Sequence, residues 1–137
     1  MTREVQGLWI TEPGVLEWRK RPLKDRGPKD VLIRVRAYAI CGSDMHIYKG
    51  EHPAASTPIA IGHEFSGEVV EIGSGVMKVR RGDRVVVEPL ITCGECYYCL
   101  KGEYNRCVKI SVNYRSGYSG FTEYFVASER WTHVIPD

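Results

Sequence analysis

The sequence has 137 residues, 43% of them apolar and 26% charged, with a formal net charge of +2. That composition suits one globular domain with its own core. It excludes nucleic-acid and membrane binding as themes, because basic residues gather only between Arg19 and Arg26 and no apolar run reaches the length of a span.

In chain order, Val5–Ile10 reads as a strand, Glu12-Pro13-Gly14 as a turn and Val15–Arg19 as its return, a hairpin. Residues 21–29 read as a loop with Pro22, Gly27 and Pro28. Val31–Ala37 is the clearest strand, rich in β-branched residues. Ser43-Asp44-Met45-His46 opens one or two helical turns, with Ser43 or Asp44 as cap. Residues 51–58 read as loop, 67–72 as strand, 84–87 as strand, 121–127 as strand and 131–135 as a last short one. Many short strands with glycine turns point to a mostly-β domain, a closed or partly open β-barrel. There is no internal repeat and no G-x-G-x-x-G between a strand and a helix.

Four of the five cysteines fall within fifteen residues: Cys93, Cys96, Cys99 and Cys107, spaced C-x2-C-x2-C-x7-C. Four thiolates this close can surround one zinc ion tetrahedrally and leave no open position, which marks a structural site. The N-terminus MTREVQGLWI carries neither a signal nor a transit pattern, so a cytoplasmic location with reduced thiols is expected. An odd cysteine count also disfavours a disulfide framework. Tyr97, Tyr98 and Tyr104 read as packing around the metal loop, and Trp9, Trp18 and Trp131 as core or barrel-end residues. A zinc ribbon gripping nucleic acid is the weaker reading, since only Lys101, Arg106 and Lys109 are basic nearby.

The fifth cysteine opens a second constellation. Cys41-Gly42-Ser43-Asp44-Met45-His46 is followed a loop later by Gly62-His63-Glu64. A thiolate, an imidazole and a carboxylate make a suitable set of three zinc ligands that leaves one place exchangeable. Spacing alone argues this weakly, because neighbours such as His63 and Glu64 point apart on an extended chain.

Gly62-His63-Glu64-Phe65-Ser66-Gly67, then Gly73 and Val76, reproduces the pattern G-H-E-x2-G-x5-G-x2-V. With the cysteine lobe, Gly82-Asp83-Arg84-Val85 and Gly120-Phe121-Thr122-Glu123-Tyr124, the chain resembles the zinc-containing medium-chain alcohol dehydrogenases over nearly its whole length. The resemblance is to their N-terminal GroES-like catalytic domain, residues 1–137, with the zinc lobe at about 92–110. It implies two zinc sites. Cys41 and His63 would ligate the catalytic zinc, with Glu64 ligating it or standing beside it. Cys93, Cys96, Cys99 and Cys107 would hold the structural one. Ser43 would take the hydroxyl proton of an alcohol substrate, and His46 would pass it toward solvent by way of the cofactor ribose. Asp44 would be a cap or a residue behind the ligands, and His52 and His133 ordinary.

Hydride would pass to NAD or NADP, bound by a Rossmann domain that these residues do not include. The C-G-S-D-x-H form leans toward polyol, sugar-alcohol or threonine-type relatives, which are homo-oligomers as full-length enzymes. The chain alone is therefore expected neither to bind NAD(P) tightly nor to turn over an alcohol, and to leave an apolar cleft face bare. The rival expectation is a non-enzymatic binding module of the same fold with only the four-cysteine zinc.

Overall fold

The β-branched run that makes 31–37 the clearest strand lies at the centre of the molecule. In the computed structural model, which describes residues 3–113 and 120–136, this strand runs Asp30–Ala39 and has Val31, Leu32 and Ile33 almost wholly buried. Ten strands, numbered in chain order, are formed by the described residues: β1 (Glu4–Glu12), β2 (Val15–Pro22), β3 (Asp30–Ala39), β4 (Ile59–Ala60), β5 (Glu64–Ile72), β6 (Arg84–Val87), β7 (Leu90–Ile91), β8 (Ser111–Val112), β9 (Tyr124–Ser128) and β10 (Thr132–Val134). Two short α-helices, α1 (Gly42–Tyr48) and α2 (Tyr97–Leu100), and two 3₁₀ turns complete them.

A five-stranded antiparallel sheet has the order β10-β6-β5-β3-β9, and a three-stranded sheet has the order β2-β1-β4. The register of β3 against β5 shifts at Leu32/Ile33 and at Val35/Ala37. Such bulges bend and twist a strand pair, which curls the larger sheet. The smaller sheet closes against it through a bridge between Gly7 and Thr122, the Leu8 N–H bonding the Phe121 carbonyl at 3.0 Å, and the Thr122 hydroxyl donating to the Gln6 carbonyl at 2.7 Å. The result is a GroES-like, partly open β-barrel.

Its core comprises Val31, Ile33, Val35, Phe65, Val69, Val79, Val85, Val87, Phe125 and Ala127, with Trp131 packed against them. A second cluster of Ile10, Ile47, Ile61 and Phe121 fastens α1 to the hairpin. Gly67 shows why the sheet needs glycine where it does. A Cβ there would stand 2.4 Å from the Arg34 carbonyl oxygen and 2.6 Å from Ile33 Cγ2, so β5 can cross β3 this closely only without one.

Several sequence expectations need correction. Strand β2 continues to Pro22, because Arg21 turns inward and is buried. Strand β5 starts at Glu64 rather than 67, and β9 at Tyr124 rather than 121. Trp131 belongs to a 3₁₀ turn, not to the last strand. Helix α1 is capped by neither Ser43 nor Asp44: Cys41 occupies the cap position, and Asp44 reaches back to accept the Cys41 N–H at 3.0 Å. Trp18 is 61% exposed on β2, so it is not a core residue.

Candidate metal centres

The two cysteine constellations become two clusters of ligand atoms. In the lobe, Cys93, Cys96, Cys99 and Cys107 bring their sulfurs within 4.8 Å of one another. Sulfur-to-sulfur distances of 3.5 Å (Cys107 to Cys93) and 3.9 Å (Cys93 to Cys99) rule out disulfides among these pairs. They fit a zinc tetrahedron, whose edges are ~3.8 Å for bonds of ~2.3 Å.

The lobe is built locally. Strands β7 and β8 pair at its base, Leu90 with Val112 and Ile91 with Ser111. Cys96 caps α2, and a 3₁₀ turn over Tyr104–Arg106 delivers Cys107. Backbone N–H groups point at the sulfurs: Cys93 and Lys109 donate to Cys107 Sγ at 3.3 and 3.4 Å. The Cys96 thiol is pulled down to about 6, chiefly by the Cys99 and Val108 backbone N–H groups. Cys99 is pushed up to about 11, first by desolvation and then by the neighbouring sulfurs. Four thiolates cannot share this space without a cation, and the donor set suits zinc.

The aromatic residues do not wrap the metal loop as expected. Tyr97 is 65% and Tyr104 42% exposed; Tyr97 and Tyr98 pack edge to face with 5.4 Å between centroids, each with a cation, Lys101 or Arg106, over its ring. Of the three rings only Tyr98 is half-buried, and backbone N–H groups meet the Cys107 sulfur.

The second cluster is assembled by the sheet. Ala39 at the end of β3 pairs with Glu64 at the start of β5. Cys41 follows Ala39 by two residues and His63 precedes Glu64, so the register alone sets a thiol beside an imidazole and a carboxylate. Cys41, His63 and Glu64 offer ligand atoms within 4.8 Å of one another. His63 and Glu64, though adjacent, both bring a ligand atom to this cluster, at the point where Gly62 takes φ +95° just before the strand. A Cβ on Gly62 would lie 2.6 Å from the Phe121 ring.

Asp44, 3% exposed, ties this cluster together. One carboxylate oxygen accepts the Cys41 N–H, and the other lies 3.5 Å from His63 Nδ1. That contact engages Nδ1 and leaves Nε2 free to face a metal, the arrangement in which a carboxylate orients a metal-binding imidazole. Asp44 pushes the His63 ring up to about 9, against the opposing effect of burial. The Cys41 thiol is lowered, chiefly by the Ser43 hydroxyl and backbone N–H. The donor set therefore contains a readily ionised thiol, an oriented imidazole and a carboxylate, which fit zinc.

Ser43 thus sits against Cys41, whereas His46 lies outside the cluster, 63% exposed with Nδ1 3.4 Å from Glu51 Oε2. Glu51 escaped the sequence reading; the signal was Gly50 before it, a helix-terminating residue that fixes where the next side chain starts. A cleft of about 370 Å³ lined by Tyr38, His63, Glu64, Ser66, Val87 and Pro89 adjoins the cluster. Among the described residues, no helix is long and apolar enough to cross a membrane.

The sequence profile of the alcohol dehydrogenase GroES-like domain matches residues 27–137. The chain belongs to that family. This GroES-like domain is 44% identical over 108 residues to D-arabitol-phosphate dehydrogenase from Enterococcus avium, covering 78% of the chain and 31% of the relative. It is 41% identical over 144 aligned residues to L-threonine 3-dehydrogenase from Sinorhizobium fredii strain NBRC 101917 / NGR234, covering 100% of the chain and 41% of the relative. Among solved structures it resembles a short chain alcohol dehydrogenase (rspB) from E. coli CFT073 complexed with NADH. The TM-score is 0.86 and the identity 35%, over 98% of this chain and 39% of that one. The GroES-like domain therefore spans between about a third and two fifths of the length of these relatives. It is the N-terminal domain of the zinc-containing medium-chain alcohol dehydrogenases.

Proposed function

We propose that this domain is the catalytic part of a zinc- and NAD(P)-dependent oxidoreductase acting on an alcohol of polyol, sugar-alcohol or threonine type. The observation that carries the reading is the convergence of Cys41, His63 and Glu64, ligand atoms within 4.8 Å, next to a cleft and behind it a buried Asp44. A zinc ion held there supplies Lewis acidity to a bound alcohol oxygen. Cys41 and His63 bind it, Glu64 joins or flanks them, and Asp44 keeps the His63 ring aimed. Ser43, within one hydrogen bond of the Cys41 thiol, accepts the alcohol proton and hands it on. His46, exposed in the last turn of α1, passes it on to water.

Cys93, Cys96, Cys99 and Cys107 hold a second, structural zinc. The nicotinamide cofactor is bound by a Rossmann domain beyond these residues, and the complete enzyme is a cytoplasmic homo-oligomer. The relatives' names, an arabitol-phosphate and a threonine dehydrogenase, support the substrate class.

Metal analysis tests the reading. Two zinc ions per chain are expected, falling to one in Cys41→Ser while the lobe keeps its own. One zinc in the unaltered chain, held only by the lobe, would favour a non-enzymatic binding module of the same fold. The 137 residues by themselves, which carry no glycine-rich dinucleotide fingerprint, are expected to show no alcohol-dependent reduction of NAD(P).

A further inference from the structure

The C-terminal end of α1 is held more firmly than a seven-residue helix requires. Gly50 adopts φ +73°, its N–H bonds the Ile47 carbonyl at 3.0 Å, and the Glu51 N–H bonds the His46 carbonyl at 2.8 Å. That pair of bonds is the Schellman closure, with glycine at the left-handed position. The Gly14 N–H adds a third bond, to the Tyr48 carbonyl at 2.7 Å, from the β1–β2 turn. Pro13 stands so close that a Cβ on Gly50 would meet it at 2.9 Å. The backbone of Glu51 is therefore fixed over His46 irrespective of its side chain.

The side chain uses this placement. Glu51 Oε2 lies 3.4 Å from His46 Nδ1, although both residues are more than half exposed. A carboxylate can only accept, so Nδ1 must carry the proton in this pair. We infer that Glu51 is a positioning residue for His46, holding its neutral ring in the Nδ1–H form so that Nε2 is the atom that takes and releases the relayed proton.

When Nε2 gains a proton, the ring becomes an imidazolium with both nitrogens donating. Its Nδ1–H stays on Glu51 as a charge-assisted bond, and the Nε2 proton leaves to water, which restores the starting form. The carboxylate neither gains nor loses a proton. The catalytic meaning of this arrangement rests on the dehydrogenase reading above; the tautomer itself does not.

The experiment is ¹⁵N long-range correlation spectroscopy of the imidazole rings in the zinc-loaded chain, at a pH where His46 is neutral. His46→Asn assigns its signals among the four histidines. The Nδ1–H form is expected to dominate at His46. Glu51→Ala should lower the ratio of Nδ1–H to Nε2–H about two- to fivefold, the size an exposed pair supports. Glu51→Gln, whose amide oxygen still accepts, should fall between the two. The backbone bonds of the cap survive both changes, so the fold is kept. Predominance of the Nε2–H form in the unaltered chain would overturn the inference, as would an unchanged ratio in Glu51→Ala. Failure of the dehydrogenase reading would show instead in the zinc count, which this measurement does not use.

Discussion

The cysteine lobe and the Cys41 cluster solve the same problem, gathering groups that can bind a metal, by opposite means. The lobe draws four sulfurs from one stretch of fifteen residues and arranges them with its own turns and backbone N–H groups. The Cys41 cluster draws its candidate ligands from two segments and depends on the β3–β5 register and on one buried carboxylate. A site made locally can be closed and autonomous. A site made by a sheet inherits the sheet's stability, and it leaves one side open to a cleft.

The largest effect that would break this comparison is expected in the lobe. Cys107 is buried and accepts two backbone N–H groups, so Cys107→Ser should release the lobe zinc and unravel residues between β7 and β8. Because metal binding here is folding free energy, loss of a few kcal/mol and a fall of about 10 °C in melting temperature are expected. Calorimetry with zinc analysis checks this. The Cys41 cluster should keep its metal; loss of both zincs together would mean that the lobe is not autonomous.

The reciprocal substitution is Gly67→Ala. Its new methyl meets the Arg34 backbone, which cannot yield without shifting β5 along β3. A destabilisation of about 1–3 kcal/mol is expected, as for overpacking elsewhere. Denaturant titration measures it. Zinc should be lost first from the Cys41 cluster, since Glu64 opens the displaced strand and His63 immediately precedes it.

These two substitutions also show what the sequence made legible. The lobe could be read residue by residue, because its ligand spacing is its geometry. The open cluster could be read from the Gly62-His63-Glu64 pattern and the resemblance it carries, yet not from spacing, because the register that joins Ala39 to Glu64 is set by bulges at Leu32/Ile33 and Val35/Ala37. The strand pattern of Val31–Ala37 was visible for the same reason that it is buried. The cap of α1 was misplaced because serine and aspartate are ordinarily the better caps, whereas here Cys41 holds that place and Asp44 serves the backbone and His63 at once.

A smaller effect separates ligand from support. Asp44→Asn keeps the size of the side chain and removes its charge. It should weaken zinc at the Cys41 cluster about 10–100-fold, as loss of an orienting partner does. It should also bring the metal-free His63 ring down from its raised value near 9, which histidine titration by NMR would read. The lobe zinc, measured by competition with a chelator, should not respond. Equal weakening at both sites would show that Asp44 acts through the fold as a whole.

The smallest expected effect concerns the segment that joins the cysteine lobe to the barrel. Glu129 accepts the Met77 and Lys78 N–H groups at 2.7 Å each and faces Lys29 Nζ at 3.0 Å. These partners, the Lys78 N–H first, hold its carboxyl at about 2, below its ordinary 4.5. Its neighbour Arg130 lays its guanidinium across Trp131 on one side and against Gly94 of the lobe on the other. The barrel loop at Met77 and the cysteine lobe are thus held by consecutive residues. A carboxyl with a depressed folded value contributes stability that is complete above about 4.5 and is lost as pH falls from there toward about 2. Glu129→Gln should therefore lower the melting temperature near neutrality and flatten its decline across that acid window. If the acid limb kept its full slope in the variant, the pH response would belong to other carboxylates.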